Sequence, residues 1–126
     1  HGLKPLAEIV GYASGALDAL HMGLGPVVAM PKALEKSGLS LEDMDLIEIN
    51  EAFSAQILAC HRRMPFDMEK LNPCGGAVAL GHPIGATGMK ILATLIHSLI
   101  RMDKELGIAS ACIGGGQGVA MVIRRL

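Results

Sequence analysis

Four short apolar runs, at residues 6–14, 45–49, 106–112 and 118–124, are separated by stretches with helical periodicity. That alternation points to a layered α/β domain rather than a bundle or a sandwich. Residues 6–14 (LAEIVGYAS) and 45–49 (DLIEI) read as strands. Residues 106–112 (LGIASAC) and 118–124 (GVAMVIR) read as two more, joined by Gly114-Gly115-Gly116. So tight a glycine connection suits an antiparallel hairpin. Between the strands, Met22-Gly23-Leu24-Gly25-Pro26 forms a turn leading into a helix that runs to Lys36 and stops at Gly38. Pro31 lies inside that stretch and sets either the start of the helix or a kink in it. Ser40 with Asp43 caps a short turn. Residues 51–63 predict a helix with Phe53, Ile57 and Cys60 on one stripe. Glu51 at its start and His61, Arg62 and Arg63 at its end suit the helix dipole. A longer helix over 86–102 gathers Lys90, Thr94, His97 and Arg101 into one polar stripe, and everything else on it is apolar or small. Extensive burial is the expectation for such a helix. The order β, α, β, α, α, β, β predicts a mixed β-sheet covered by helices.

The length, 126 residues, fits one domain. Hydrophobic residues make up 51%, with 16 glycines besides. This surplus needs either strands buried on both faces or a surface that expects a partner. Charge gives no hint of a polyanionic ligand, because 11 Lys plus Arg against 12 Asp plus Glu leave a net −1. Tyr12, Phe53 and Phe66 are the only aromatics, too few for a nucleic-acid stacking platform. No apolar run approaches the ~20 residues of a membrane span, so no membrane partner is expected. Cys60, Cys74 and Cys112 form an odd set without close pairing. Such usage suits a reducing compartment, the cytoplasm or an organelle interior. The chain opens on His1 rather than Met and reads as a piece of a longer polypeptide.

Three strand ends carry chemistry. Asn50 stands where the 45–49 strand meets a helix, which suits an N-cap. The same place lets its amide face the crevice beyond the strand's C-terminal end, where open α/β sheets bind ligands. His82 lies in Gly81-His82-Pro83 among Gly75, Gly76, Gly85 and Gly88. The proline holds it extended just ahead of a helix, where a neutral imidazole can donate a hydrogen bond or accept a proton. Cys112 ends a strand and precedes Ile113 and three glycines. Convergent backbone N–H groups there would lower its pKa and fit it as base or nucleophile. By contrast Cys60 reads as core, while His21, His61 and His97 lie on turns or polar helix faces. Zinc is not expected, because no CxxC or HxxxH pair occurs. The glycine run lacks the GxGxxG spacing and the lysine of a phosphate loop.

Together these segments resemble the thiolase family over nearly the whole chain from about residue 6. Asn50-Glu51-Ala52-Phe53 with Gln56 resembles its NEAF motif, and residues 72–88 (NPCGGAVALGHPIGATG) resemble the long signature around its histidine. Residues 112–118 (CIGGGQG) are similar to its C-terminal signature, and Met22 to Pro26 to its MG-x-GP turn. Asn50 separates the chain from HEAF and HDCF relatives, and Cys74 stands in Asn-Pro-Cys where Asn-Val-Asn is common. What Cys74 does there is left open.

The resemblance implies a C-terminal thiolase domain over 1–126, without the N-terminal nucleophile-bearing half or the CoA-binding loop domain. His82 would activate the absent nucleophilic cysteine and help form one oxyanion hole, which a water held by Asn50 completes. Cys112 would exchange a proton with the CoA thiol or the acyl α-carbon, and the Gly114 N–H would serve the second hole. Met22 and Phe53 would line the acyl pocket. The implied reaction is thiolytic cleavage of a 3-ketoacyl-CoA, or its Claisen reverse, with CoA and acyl-CoA as substrates and no cofactor or metal. Implied partners are the missing half and further copies in a homo-oligomer, and the chain alone would be inactive. A stand-alone assembly module or a ketosynthase-type condensing domain are the alternatives. Intact Asn50, His82 and Cys112 count against the first. Cys112 itself counts against the second, whose members usually carry histidine or asparagine there.

Overall fold

The computed structural model describes all residues, His1–Leu126. Strand β1 (Ala7–Ala16) is followed by a short 3₁₀ helix (Ala19–Leu24), α1 (Gly25–Ser37), β2 (Leu46–Ile49) and α2 (Ser54–Arg63). Then come a single turn α3 (Ala77–Leu80), the long α4 (Thr87–Arg101), β3 (Leu106–Ile113) and β4 (Gln117–Arg125). The sheet order is β1-β4-β3-β2. β4 runs antiparallel to both β1 and β3, while β2 runs parallel to β3. The sheet is therefore mixed, and the β3–β4 hairpin turns through Gly115 and Gly116 at φ of 86° and 85°, where a side chain would be strained.

Helices cover both faces. On one, α1 packs over β1, β4 and β3, and its core holds Met30, Met44, Ile47, Ile49, Ile108 and Val122. On the other, α4 crosses β2 and β3 and closes a smaller core of Leu46, Ile91, Leu95, Leu99 and Ile123.

Several local expectations change. Helix α1 begins at Gly25 with Pro26 in its first turn, so Pro31 sits inside a helix already under way. Proline in the first turn gives up an N–H that has no helical partner anyway, which favours the earlier start. Helix α2 begins at Ser54, not at residue 51. Phe53 before it is extended and 66% exposed, so it leaves the apolar stripe on which Ile57 and Cys60 are buried. Helix α4 buries Ile91, Leu95 and Leu99 against the sheet and Thr87 and Ser98 beside the glycine-rich loop, yet Met89 is 71% exposed. One sheet can cover only one side of a helix.

An acidic residue interrupts the apolar strand β2. Glu48 is 2% exposed, and its Oε1 has no hydrogen-bond partner. Burial, with the Glu51 charge adding to it, pushes its carboxyl up to about 7, although Lys90 opposes the shift. A raised folded pKa means that the unfolded chain loses this proton first as pH rises. The protonated form stabilises the fold fully below about 4.5, and this contribution is lost by about pH 7. Glu48→Gln keeps the neutral shape at every pH. From pH 5 to pH 8 the unfolding free energy from urea titrations is expected to drop less in that variant, by roughly 2–3 kcal/mol. Parallel declines would show that Glu48 is not the group responsible.

Candidate functional site

Because β2 and β3 are parallel, their C-terminal ends open on the same side of the sheet. Asn50 follows β2 there, and its N–H donates to the Ser110 carbonyl at 2.9 Å, extending the β2–β3 ladder by one step. It is no N-cap, since α2 starts four residues later. Its side chain is 2% exposed and turns to the glycine-rich loop instead, with Nδ2 3.4 Å from His82 Nε2. Asn50 Oδ1 is buried without a partner. Cys112 lies near the end of β3, two residues beyond Ser110. Gly114 opens the hairpin turn after it, exposed and with free space beside its Cα.

The loop carrying His82 is fastened at several points. Asn72 imitates an added strand on the edge of β2: its Oδ1 accepts the Ile49 N–H at 2.9 Å, and its Nδ2 donates to the Ile49 carbonyl at 3.0 Å. The same Nδ2 lies 3.3 Å from Glu51 Oε1, while Glu51 Oε2 accepts the Val78 N–H at 2.9 Å. Gly76 stands so close to this carboxylate that a Cβ would collide with it. Further on, Lys90 donates to the Gly81 carbonyl, just before His82. The imidazole itself is exposed on its outer side, and its Nδ1 is 2.6 Å from the hydroxyl of buried Thr87. That hydroxyl also donates to the Pro83 carbonyl at 2.9 Å.

Cys112 departs from its expected electrostatics. Burial pushes its thiol above the ordinary range, and its own backbone N–H offsets this only partly. The start of α1 packs directly on this point of the strand: a Cβ on Gly25 would come 3.0 Å from Cys112 Cα. Cys60 is shifted upward too, first by burial and also by the Cys112 charge, against a hydrogen bond from Gln56. It is core, as expected, and donates to the Gly23 carbonyl at 3.3 Å. Met22 lies half-buried on the 3₁₀ helix, which packs on β3, β4 and α2. Cys74 meets Ser98 Oγ at 3.1 Å and the Arg101 guanidinium.

The fold thus joins Asn50 to His82 directly and sets Cys112 and Gly114 on the neighbouring strand end. Phe53 stands apart, pointing to solvent. Glu51, Asn72, Lys90 and Thr87 were not singled out as site residues by their spacing. Only a carboxylate or amide beside an apolar run could have hinted at the first two.

A family model described as "Thiolase, C-terminal domain" matches residues 3–125. The chain belongs to the thiolase C-terminal domain family. It is 60% identical over 125 residues to an acetyl-CoA acetyltransferase of Escherichia coli, covering 99% of this chain and 32% of that protein. With human mitochondrial 3-ketoacyl-CoA thiolase the identity is 52% over 124 residues, 98% of this chain and 31% of that one. The chain therefore spans about a third of the length of the curated relatives it matches. Among solved structures, the Bacillus anthracis acetyl-CoA acetyltransferase superposes with a TM-score of 0.97 at 55% identity, over 99% of this chain and 32% of that one. The human mitochondrial thiolase in complex with CoA gives 0.95 at 52%, over 98% and 31%. Thiolase membership and the mixed layered fold agree with the sequence reading.

Proposed function

We propose that this chain is the C-terminal catalytic half of a thiolase. It completes, with an N-terminal half, a site that cleaves 3-ketoacyl-CoA thiolytically or condenses acyl-CoA in reverse. The observation that carries this reading is the Asn50–His82 contact at the strand-end crevice, beside Cys112. Carbonyl oxygens gain charge in both half-reactions, and each donor aimed at one is typically worth about 10²–10³ in rate. In this reading His82 takes the proton of the partner half's cysteine and lines one oxyanion hole. The unpartnered Asn50 Oδ1 supports its role in holding a water there. Cys112 moves the proton of the CoA thiol or the α-carbon, and the exposed Gly114 N–H serves the second hole. Met22 and Phe53 face the acyl chain once the other half encloses them. CoA and acyl-CoA enter as substrates, and no cofactor or metal takes part.

An apolar groove of about 620 Å³ beside α4, lined by Met89, Leu92, Ala111, Val119 and Met121, supports docking of the missing half. Homo-oligomerisation would cover further apolar surface. Bacterial and mitochondrial names among the relatives support a cytoplasmic or organellar setting, and cleavage of a 3-ketoacyl-CoA would suit a place in fatty-acid β-oxidation. No helix is long and apolar enough to cross a membrane.

Thiolysis of acetoacetyl-CoA tests the reading, with the chain alone and after co-refolding with the N-terminal part of the Escherichia coli relative. No turnover alone and turnover in the mixture are expected. Turnover by the chain alone, lost in both His82→Ala and Cys112→Ser, would move the nucleophile to Cys60 or Cys74. Silence in a well-formed assembly would sink the acyl-transfer reading.

A further inference from the structure

A neutral imidazole carries one proton for two ring nitrogens, and both nitrogens of His82 have a polar neighbour. The side chain that decides where the proton sits is Thr87, one turn into the loop's exit and 4% exposed. Its hydroxyl has a single hydrogen to give. The Pro83 carbonyl 2.9 Å away can only accept, so that hydrogen is committed to it. Toward His82 Nδ1, at 2.6 Å, Thr87 Oγ1 is then left as an acceptor, and Nδ1 must be the protonated nitrogen. Nε2 keeps the free lone pair, and the atom 3.4 Å from it, Asn50 Nδ2, is a donor. The three contacts form one consistent chain: Asn50 to Nε2, Nδ1 to Thr87, Thr87 to Pro83. Reversing the tautomer would require the Asn50 amide to turn over and the Thr87 hydroxyl to abandon the carbonyl, two changes for no added bond.

We propose that Thr87 is a positioning residue that locks neutral His82 with its proton on Nδ1, leaving Nε2 facing the crevice as the proton acceptor. The consequence for catalysis rests on the acyl-transfer reading above; the tautomer itself does not. A base with its lone pair on the wrong nitrogen cannot take the nucleophile's proton, which is why orienting partners of catalytic histidines matter so much in other enzymes. Neither Asn50 nor the exposed side of the ring can impose this choice, because an amide can turn over and water serves both nitrogens alike.

The direct test is two-bond ¹H–¹⁵N correlation of the His82 ring in the 126-residue chain, recorded where the ring is neutral. A protonated-type Nδ1 and a pyridine-type Nε2 are expected. Thr87→Val, which keeps the shape and removes the acceptor, should shift population toward Nε2–H, and Thr87→Ser should restore the wild-type pattern. Assembled with an N-terminal half, Thr87→Val is expected to lower kcat by roughly 10–100-fold with KM nearly unchanged, part of the ~10²–10⁴ that a positioned base contributes. A wild-type ring protonated on Nε2 overturns the proposal, and needs no variant to be seen. So does a folded Thr87→Val chain that keeps the Nδ1–H ring. An Nδ1–H ring in an assembly without turnover supports this assignment and counts only against acyl transfer.

Discussion

His82→Ala in the assembly of the two halves is expected to lower kcat by about 10²–10⁴-fold, the range of a positioned general acid or base. The substitution removes the ring and leaves the loop that presents it. That loop is held by Asn72 on Ile49, by Glu51 on Val78 and by Lys90 on Gly81, none of which involves the imidazole. Asn50 Nδ2 does lose its neighbour, and an unpaired buried donor costs roughly 1–3 kcal/mol. Here the cost should fall well short of that, because the outer side of residue 82 is exposed and water can enter. Loss of rate without loss of fold is therefore the expected pairing, read from steady-state thiolysis beside a thermal melt. A rate within tenfold of wild type would remove His82 from the role of base. A melt lowered by more than about 10 °C would recast it as structural, since ~1 kcal/mol shifts a domain of this size by only about 4–8 °C at most.

Much of the architecture was legible because strand and helix differ in period. The runs at 45–49 and 106–112 are short and apolar, while 86–102 carries its polar residues on a single helical stripe. The hairpin was marked by Gly114-Gly115-Gly116, of which Gly115 and Gly116 take positive φ values that other residues avoid. Position along the chain was less legible where two rules competed. Asn50 satisfies the preferences of an N-cap, yet its backbone extends the β2–β3 ladder and its amide reaches across 32 residues to His82. Local preference cannot announce so distant a partner. Glu51 was assigned to a helix dipole for the same reason, whereas its carboxylate in fact fastens the glycine loop.

Burial was the least legible quantity. Helix α4 is apolar or small everywhere but on one polar stripe, yet only Thr87, Ile91, Leu95, Ser98 and Leu99 are buried along it. Tyr12, Met89 and Val119 remain 66%, 71% and 40% exposed around the groove beside this helix. Composition records the surroundings for which a chain is suited; this one spans about a third of the length of its relatives, and the N-terminal half proposed above would supply the other part of those surroundings. The same proposed half would cover Phe53, whose exposure contradicts its place on an apolar stripe. It also bears on Asn50 Oδ1 and Glu48 Oε1, two buried oxygens without partners close to the β2 end. Buried acceptors rarely stay unpaired in a finished structure.

The direction of the Cys112 shift makes a prediction about pH that the two chemical directions share. Burial holds its thiol protonated above the ordinary range for cysteine, so through neutral pH it is a proton donor. Cleavage needs such a donor for the departing α-carbon and should hold its rate through neutral pH. That rate should fall only as pH rises through the elevated pKa. Condensation is the microscopic reverse, and the thiolate that takes its α-proton is formed when the Cys112 thiol protonates the departing CoA, so its rate should fall over the same interval. Desolvation thus makes the acid abundant and the conjugate base scarce but strong, the opposite of what the neighbouring glycine amides alone suggested. Cys112→Ser replaces the thiol with a much weaker acid of similar shape. It is expected to reduce both directions by about 10²–10⁴-fold and to erase the alkaline limb of the cleavage profile. Initial rates of cleavage and condensation across the alkaline range, for wild type and variant, decide the matter. A limb that survives in Cys112→Ser would belong to another group, with the partner half's cysteine the first to examine. A rate that rises with pH would mean that Cys112 begins the cycle as a thiolate, and its burial would have to be undone when the two halves meet.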